Sequence, residues 1–507
     1  MLLSLIILFP LICALVMALL PDRRYLHKVA LGMSVVEFLV GLVLYLKFDH
    51  NKTGLQFVEK ILWIEDFGIS YFLGVDGISI WLVLLTVFLQ PIVVLASWSS
   101  INEKIKGYYV ALFLLESAMI GSFITFDAVL FYLFWELSLV PMYFIIGLWG
   151  GERKIYATLK FFIYTMAGSI MMLVANGVML LLAKETLGFY TTSLLDWYKI
   201  RIPFVGGEFF SPQTLLFFAY ALAFAVKTPV FPFHTWLPDA HVQAPTAGSV
   251  ILAGVMLKMG TYSFLRWVVP LFPEATQYWS WLFIVIGITG IIYGALMALV
   301  QNDIKKVIAY SSVSHMGYII AGIFSLNELA MSGALYQMLN HGISTGALFL
   351  LVGMIYERTH TRDIVKYGGI AAQVPIYTVI FMIVTFSSIA VPLTNGFVGE
   401  FLILLGIYQN RPAWAAWAVA GVILGAGYML WTVKRVFFGP AGQVVQDHGL
   451  HDLSQREILV MLPLVFLVFF MGIYPNYFLR LFEKGIIFLV ENFHNYQLFS
   501  QITEGGL

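Results

Sequence analysis

Fourteen stretches of roughly twenty apolar residues, each long enough to cross a bilayer as a helix, constrain this chain more than any other feature. They lie near 2–20, 29–47, 77–98, 108–126, 128–149, 159–183, 212–231, 243–267, 278–300, 304–324, 330–356, 373–408, 413–437 and 458–478. Inside hydrocarbon every backbone polar group needs an internal partner, so an all-α polytopic fold is expected. Composition agrees. Of 507 residues, 60% are hydrophobic and 11% charged, less than half the roughly 25% charge of a soluble chain. Net charge is zero and no basic patch stands out, so lipid is the expected surrounding and nucleic acid is not a partner. The one cysteine, Cys13, leaves no route to a disulfide or a Cys-ligated cluster. No cofactor or metal is expected within the chain. The first stretch has no basic leader or small-residue cleavage site and reads as a retained span.

The loops orient the spans. With Arg23, Arg24 and Lys28 placed in the cytoplasm, alternation leaves sixteen Lys and Arg residues on that side. Ten fall on the other, among them Arg266. This bias predicts both termini on the periplasmic side of a bacterial inner membrane. Two basic residues remain, Lys227 and Lys258, and both fall inside spans.

A charge near the bilayer centre costs roughly 2.5–3.5 kcal/mol, so it is a functional suspect. Lys227, Lys258, Glu37, Glu116, Glu136 and Glu400 qualify. At 1.5 Å rise per residue, Glu136 lies about 13 Å beyond Asp127 and Lys258 about 19 Å beyond Pro245. Lys227 precedes Pro229 and Pro232, and Glu400 follows Pro392 and Asn395-Gly396. Prolines release carbonyls of the preceding turn, and unwound backbone at membrane depth is tolerated only in protein or beside a hydrated cavity. Spans seven and twelve therefore read as broken, each with a charge beside its break. Their separation of five spans suggests a five-helix unit used twice, inverted across the membrane.

The pairing favours protons. A lone lysine ammonium in a dry site is costly; a carboxylate such as Glu136 holds it charged, and moving the two apart favours proton release. His234, His315 and His341 lie on or beside spans seven, ten and eleven, where imidazole can bridge lysines through water. Each group has a competing packing role: a static Glu136–Lys227 pair, a snorkelling Lys258, a helix-terminal Glu400, hydrogen-bonding core histidines. Glu37 and Glu116 have no assignable lysine. Asp239 and His241 look ligand-like but fall in a short loop, where capping is expected.

Longer motifs carry a family resemblance. FAVKTPVFPFHTWLPDAHVQAPTAGSVILAGVMLKMG at 224–260 resembles the signature of the antiporter-like subunits of respiratory complex I. LGVDGIS (73–79), FYLFWELSLVPMYFIIGLWGG (131–151), KFFIYT (160–165), QNDIKKVIAYSSVSHMGY (301–318) and QMLNHGISTGALFL (337–350) agree with it. Glu400, where L-type and N-type relatives carry lysine, points to the M-type, called chain 4 in mitochondria. The resemblance implies spans 1–3 over 1–107, a repeat of spans 4–8 over 108–270, an inverted repeat of spans 9–13 over 271–440, and a last span with its tail over 441–507. It implies that Glu136 pairs with Lys227 and that Lys258 links toward Glu400. The three histidines would line the path, with Glu116 a secondary candidate. It implies L-type and N-type subunits as partners, with NADH, flavin, iron-sulfur clusters and quinone held elsewhere in the complex. A multisubunit sodium/proton antiporter and a membrane-bound hydrogenase complex share the module. An inert scaffold has no use for two midplane lysines.

Overall fold

The computed structural model describes residues 1–447, 449–487 and 489. Among them, twelve helices are long and apolar enough to span a bilayer. They are α1 (Leu2–Leu19), α2 (Leu26–Lys47), α3 (Ser79–Ser100), α4 (Ile105–Ile124), α5 (Ala128–Trp149), α6 (Lys154–Leu187), and, after two shorter pieces, α9 (Thr246–Val268), α10 (Pro273–Leu299), α11 (Ile304–Phe324), α12 (Glu328–Thr359), α15 (Pro412–Phe437) and α16 (Gln455–Ile473). The intervening pieces are α7 (Pro212–Lys227) with α8 (Trp236–Gln243), and α13 (Pro375–Ser388) with α14 (Asn395–Asn410). The two shorter apolar helices α7 and α13 fall in the stretches expected as spans seven and twelve. The chain is an all-α polytopic membrane protein. The C-terminal end of the 441–507 segment, and the side on which it finishes, lie outside the described residues.

Local chemistry starts and stops the helices where expected. Asp127 caps α5 by accepting from the amides of Val129 and Leu130, and Asp303 caps α11 in the same way. Ser454 and Glu457 form a capping box on α16, and Arg358 at the end of α12 grips that glutamate through two 2.7 Å bonds.

Some expectations need correction. The 48–76 connection contains an antiparallel hairpin, Gln56–Ile64 with Ile69–Val75, turned at Gly68 in the left-handed region. Its strands pair Lys60 with Phe72 and Ile61 with Tyr71, so interstrand bonds satisfy the backbone of a segment too apolar to remain an open loop. Asp239 and His241 sit on α8 and not in a loop, and Asp239 accepts from Lys160 Nζ at 2.7 Å instead of capping. Arg266 is not a loop residue either. It lies at the end of α9, fully buried, 2.5 Å from Asp76.

Helix α9 is buried along its apolar window, and α11 and α12 nearly so, whereas α1, α2, α15 and α16 leave most of theirs outward. A helix apolar all round belongs in the middle of a bundle. The polar side chains of α9, α11 and α12 are thereby held out of reach of lipid.

Candidate functional site

The first break sets Lys227. Helix α7 ends on it, and its final carbonyls find substitutes: Trp236 Nε1 donates to Val226 O at 2.9 Å, and the amide of Val230 donates to Ala225 O at 2.9 Å. The buried ammonium of Lys227 donates to Ser138 Oγ at 2.8 Å and lies 5.0 Å from the Trp135 ring centre. Ser138 marks an interruption in α5 and donates its own hydroxyl hydrogen bond to Trp135 O at 2.7 Å. Glu136 stands on the same turn, yet no ion pair joins it to Lys227 among the described residues, and its Oε1 has no hydrogen-bond partner. The lysine is held beside its expected carboxylate, on a serine.

The second lysine lies where α9 widens. Residues Leu252–Met256 form a π-helical turn, a device common at functional sites. Lys258 Nζ, fully buried, donates to the carbonyl of Ala253 on that turn and to His341 Nδ1 at 2.6 Å. The His341 and His315 rings follow edge to face with centres 5.7 Å apart. His315 Nδ1 then meets Glu400 Oε1 at 3.1 Å. A cavity of about 10 Å³ touches both histidines, Gln337, Asn340 and Ser344, which is room for about one water.

Glu400 stands in the second turn of α14, just past the second break. Asn395 anchors that break, accepting from Ser387 Oγ at 2.5 Å and donating to Ser344 Oγ at 3.1 Å. Gln337 Nε2 also donates to Glu400 Oε1 at 3.1 Å, and Asn340 holds Gln337 at 3.0 Å. A side chain on Gly399 would put its Cβ 2.4 Å from Gln337 Oε1, so glycine is what lets α14 come this close.

Lys258, His341, His315 and Glu400 are therefore one row. Lys227 and Glu136 adjoin it through a backbone contact: a Cβ on Gly260 of α9 would fall 2.2 Å from Thr228 Oγ1. His234 stands apart. Its ring stacks on Phe231 and meets Tyr293 at 5.0 Å, and among the described residues no hydrogen bond joins it to either lysine. Glu116 is separate, buried in α4. Sequence reasoning passed over Ser138, Gln337 and Asn340, and set aside as a capping residue His241. The last is buried against Phe349 at 4.5 Å with neither ring nitrogen hydrogen-bonded. Asn340, His341 and Ser344 stand three, four and seven residues after Gln337 on a buried helix, a legible signal for one polar face.

Comparison with known proteins decides the family. A family profile described as NADH:quinone oxidoreductase/Mrp antiporter, TM, matches residues 126–425. A second, described as NADH-ubiquinone oxidoreductase chain 4, amino terminus, matches 4–126. The chain is 46% identical over 503 residues to NADH-quinone oxidoreductase subunit M of Rhodobacter capsulatus, covering 97% of each. The chain belongs to the subunit M (chain 4) family. As a member of that family it is an antiporter-like, proton-translocating membrane subunit of complex I, the NADH:quinone oxidoreductase. It is 41% identical to NADH-ubiquinone oxidoreductase chain 4 of Marchantia polymorpha, over 97% of both chains. Its fold superposes on a chain of respiratory complex I from Thermus thermophilus with bound NADH at a TM-score of 0.86, with 31% identity, covering 97% of this chain and 100% of that one.

Proposed function

We propose that protons cross this subunit along Glu136, Lys227, Lys258, His341, His315 and Glu400. The observation that carries this is the unbroken contact row from Lys258 Nζ to Glu400 Oε1, held wholly inside the bundle. Lys258 passes a proton to His341 Nδ1; the imidazole releases the one on its Nε2, which makes no hydrogen bond to protein. Water in the small cavity carries it to His315, whose Nδ1 donates to Glu400. On the intake side, a cleft of about 490 Å³ is lined by Gln243, Lys305, Gly353, Glu357 and Arg362. His241 of α8, stacked on Phe349 one turn of α12 from Gly353, bridges from the cleft toward the row. Lys227 loads beside Ser138 and is drawn to Glu136 when that carboxylate is charged.

The two broken units lie five spans apart and each carries a charge beside its break, Lys227 before the first and Glu400 after the second, which supports two inverted five-helix repeats at 108–270 and 271–440. We assign 1–107 to the first three spans and 441–507 to the last span and tail. The location is a bacterial inner membrane with the N-terminus periplasmic, beside L-type and N-type subunits. NADH, flavin, iron-sulfur clusters and quinone act in other subunits.

The test uses membranes carrying Glu136→Gln or Lys227→Ala complex, checked for assembly. Quinone-linked electron transfer and proton pumping should collapse together. Intact NADH oxidation with failing sodium tolerance would replace this reading with sodium/proton antiport. Unchanged activities would make the buried charges structural.

A further inference from the structure

A second set of buried polar groups lies away from this row, in the N-terminal helices. Cys13, Glu37, Gln90 and Glu116 each stand eleven residues beyond the first residue of α1, α2, α3 and α4. At 1.5 Å per residue that is about 16 Å, close to the middle of helices of 18 to 22 residues. All four side chains therefore share one level whichever way each helix runs. The helices are in contact: α1 with α2 and α4, α2 with α3 and α4, and α3 with α4. Glu37, Gln90 and Glu116 are fully buried. Both carboxylate oxygens of each glutamate, and both amide atoms of Gln90, make no hydrogen bond to any protein group. Gly41 seats against Val87 on α3, where a Cβ would come within 2.6 Å of Val87 Cγ2. One turn back along α2 is Glu37, and one turn on along the antiparallel α3 is Gln90. Pro91 removes the amide that would bond the Val87 carbonyl, leaving an acceptor at the same place.

We propose that Glu37 and Glu116 form a proton-binding carboxyl pair at mid-membrane, distinct from the Glu136-to-Glu400 row. Two carboxyl groups shut away from water with no cation beside them cannot both ionise, because an isolated buried carboxylate is too costly and a second like charge adds repulsion. The pair therefore holds at least one proton and at most one negative charge, with the Gln90 amide as donor to that charge. The titratable group facing it from a neighbouring helix is the Cys13 thiol on α1; Glu136 and Lys258 sit on α5 and α9, which also pack against α4, and neither they nor the thiol makes an ion pair with either glutamate. Glu116 is five residues from Gly121, which seats on Phe134 of α5, two residues before Glu136. Loading the pair thus changes charge within about a helical turn of the level of Glu136. That last consequence rests on the proton path proposed above; proton binding by the pair does not.

The test is infrared spectroscopy of the whole assembled complex, stepped through pH without turnover. Wild type is compared with Glu37→Gln and Glu116→Gln, with Glu37→Asp as a fallback that keeps a titrating group if Glu37→Gln fails to assemble. The expected result is a carbonyl band of protonated carboxylic acid, shifted by deuterium, that each Gln variant diminishes. In each variant the surviving carboxyl should also titrate at a different pH from the wild-type pair, because its partner's charge is gone. Diminished carboxylate bands in place of the carbonyl band, or titration identical in variants and wild type, would overturn the proposal. No pumping is measured here, so failure of the Glu136-to-Glu400 reading would leave this result standing, and the reverse.

Discussion

His341 Nδ1 accepts from Lys258 Nζ at 2.6 Å while the other ring nitrogen of His341 has no hydrogen-bond partner. An imidazole so placed takes a proton on one face and gives it up on the other, without the lysine having to travel. His341→Phe keeps the ring's bulk and removes both nitrogens. A positioned proton-transfer group contributes roughly 10²–10⁴-fold, so quinone-linked electron transfer and pumping should fall together by at least about tenfold. The measurement is both rates in membrane vesicles with normal levels of assembled complex.

Ser138 holds Lys227 off Glu136. Ser138→Ala removes that acceptor and leaves the carboxylate as the alternative partner. A net hydrogen bond is worth ~0.5–1.5 kcal/mol, so turnover should slow about two- to tenfold, while Ser138→Thr, which keeps the hydroxyl, stays near wild type. Equal rates in the two variants would remove Ser138 from the mechanism.

Gly260 is the contact through which the Lys227 break meets the helix of Lys258. Gly260→Ala drives a methyl group to within 2.2 Å of Thr228 Oγ1. Overpacking of this kind costs about 1–3 kcal/mol. Less complex should survive heating, and adding Thr228→Ala should restore part of the loss.

The Arg266–Asp76 pair is structural and lies off the path. Asp76 caps α3 through the amides of Ile78 and Ser79, and Arg266 neutralises it from α9. Removing one member of a buried pair costs about 3–5 kcal/mol. Arg266→Leu should sharply reduce assembled complex, and Asp76→Asn in the same chain, which retains a capping oxygen, should recover much of it.

The long apolar helices, the two breaks and the six ionisable residues set within apolar helices were legible because each is a property of distance along one chain. Twenty apolar residues cross a bilayer, proline interrupts the ladder, and residues counted from Asp127 or Pro245 give a depth. Arg266 was misplaced for the same reason: it falls at a helix end, where counting cannot tell a residue facing water from one facing Asp76, 190 positions earlier. Asp239 was misread because Pro229, Pro232 and Pro238 make the stretch read as a loop, whereas eight residues from Trp236 to Gln243 form a helix.

By itself, then, the sequence determined the class of fold and which ionisable side chains lie at membrane depth, since the cost of charge in hydrocarbon acts on each span separately. Only the tertiary structure decided partners. It set Lys227 on Ser138 and not on Glu136, brought His341 and His315 between Lys258 and Glu400, and left His234 against Phe231 and Tyr293. Those choices depend on the rotation of each helix about its axis and on how closely glycines such as Gly260 and Gly399 let neighbours approach. Hydropathy along the chain carries neither.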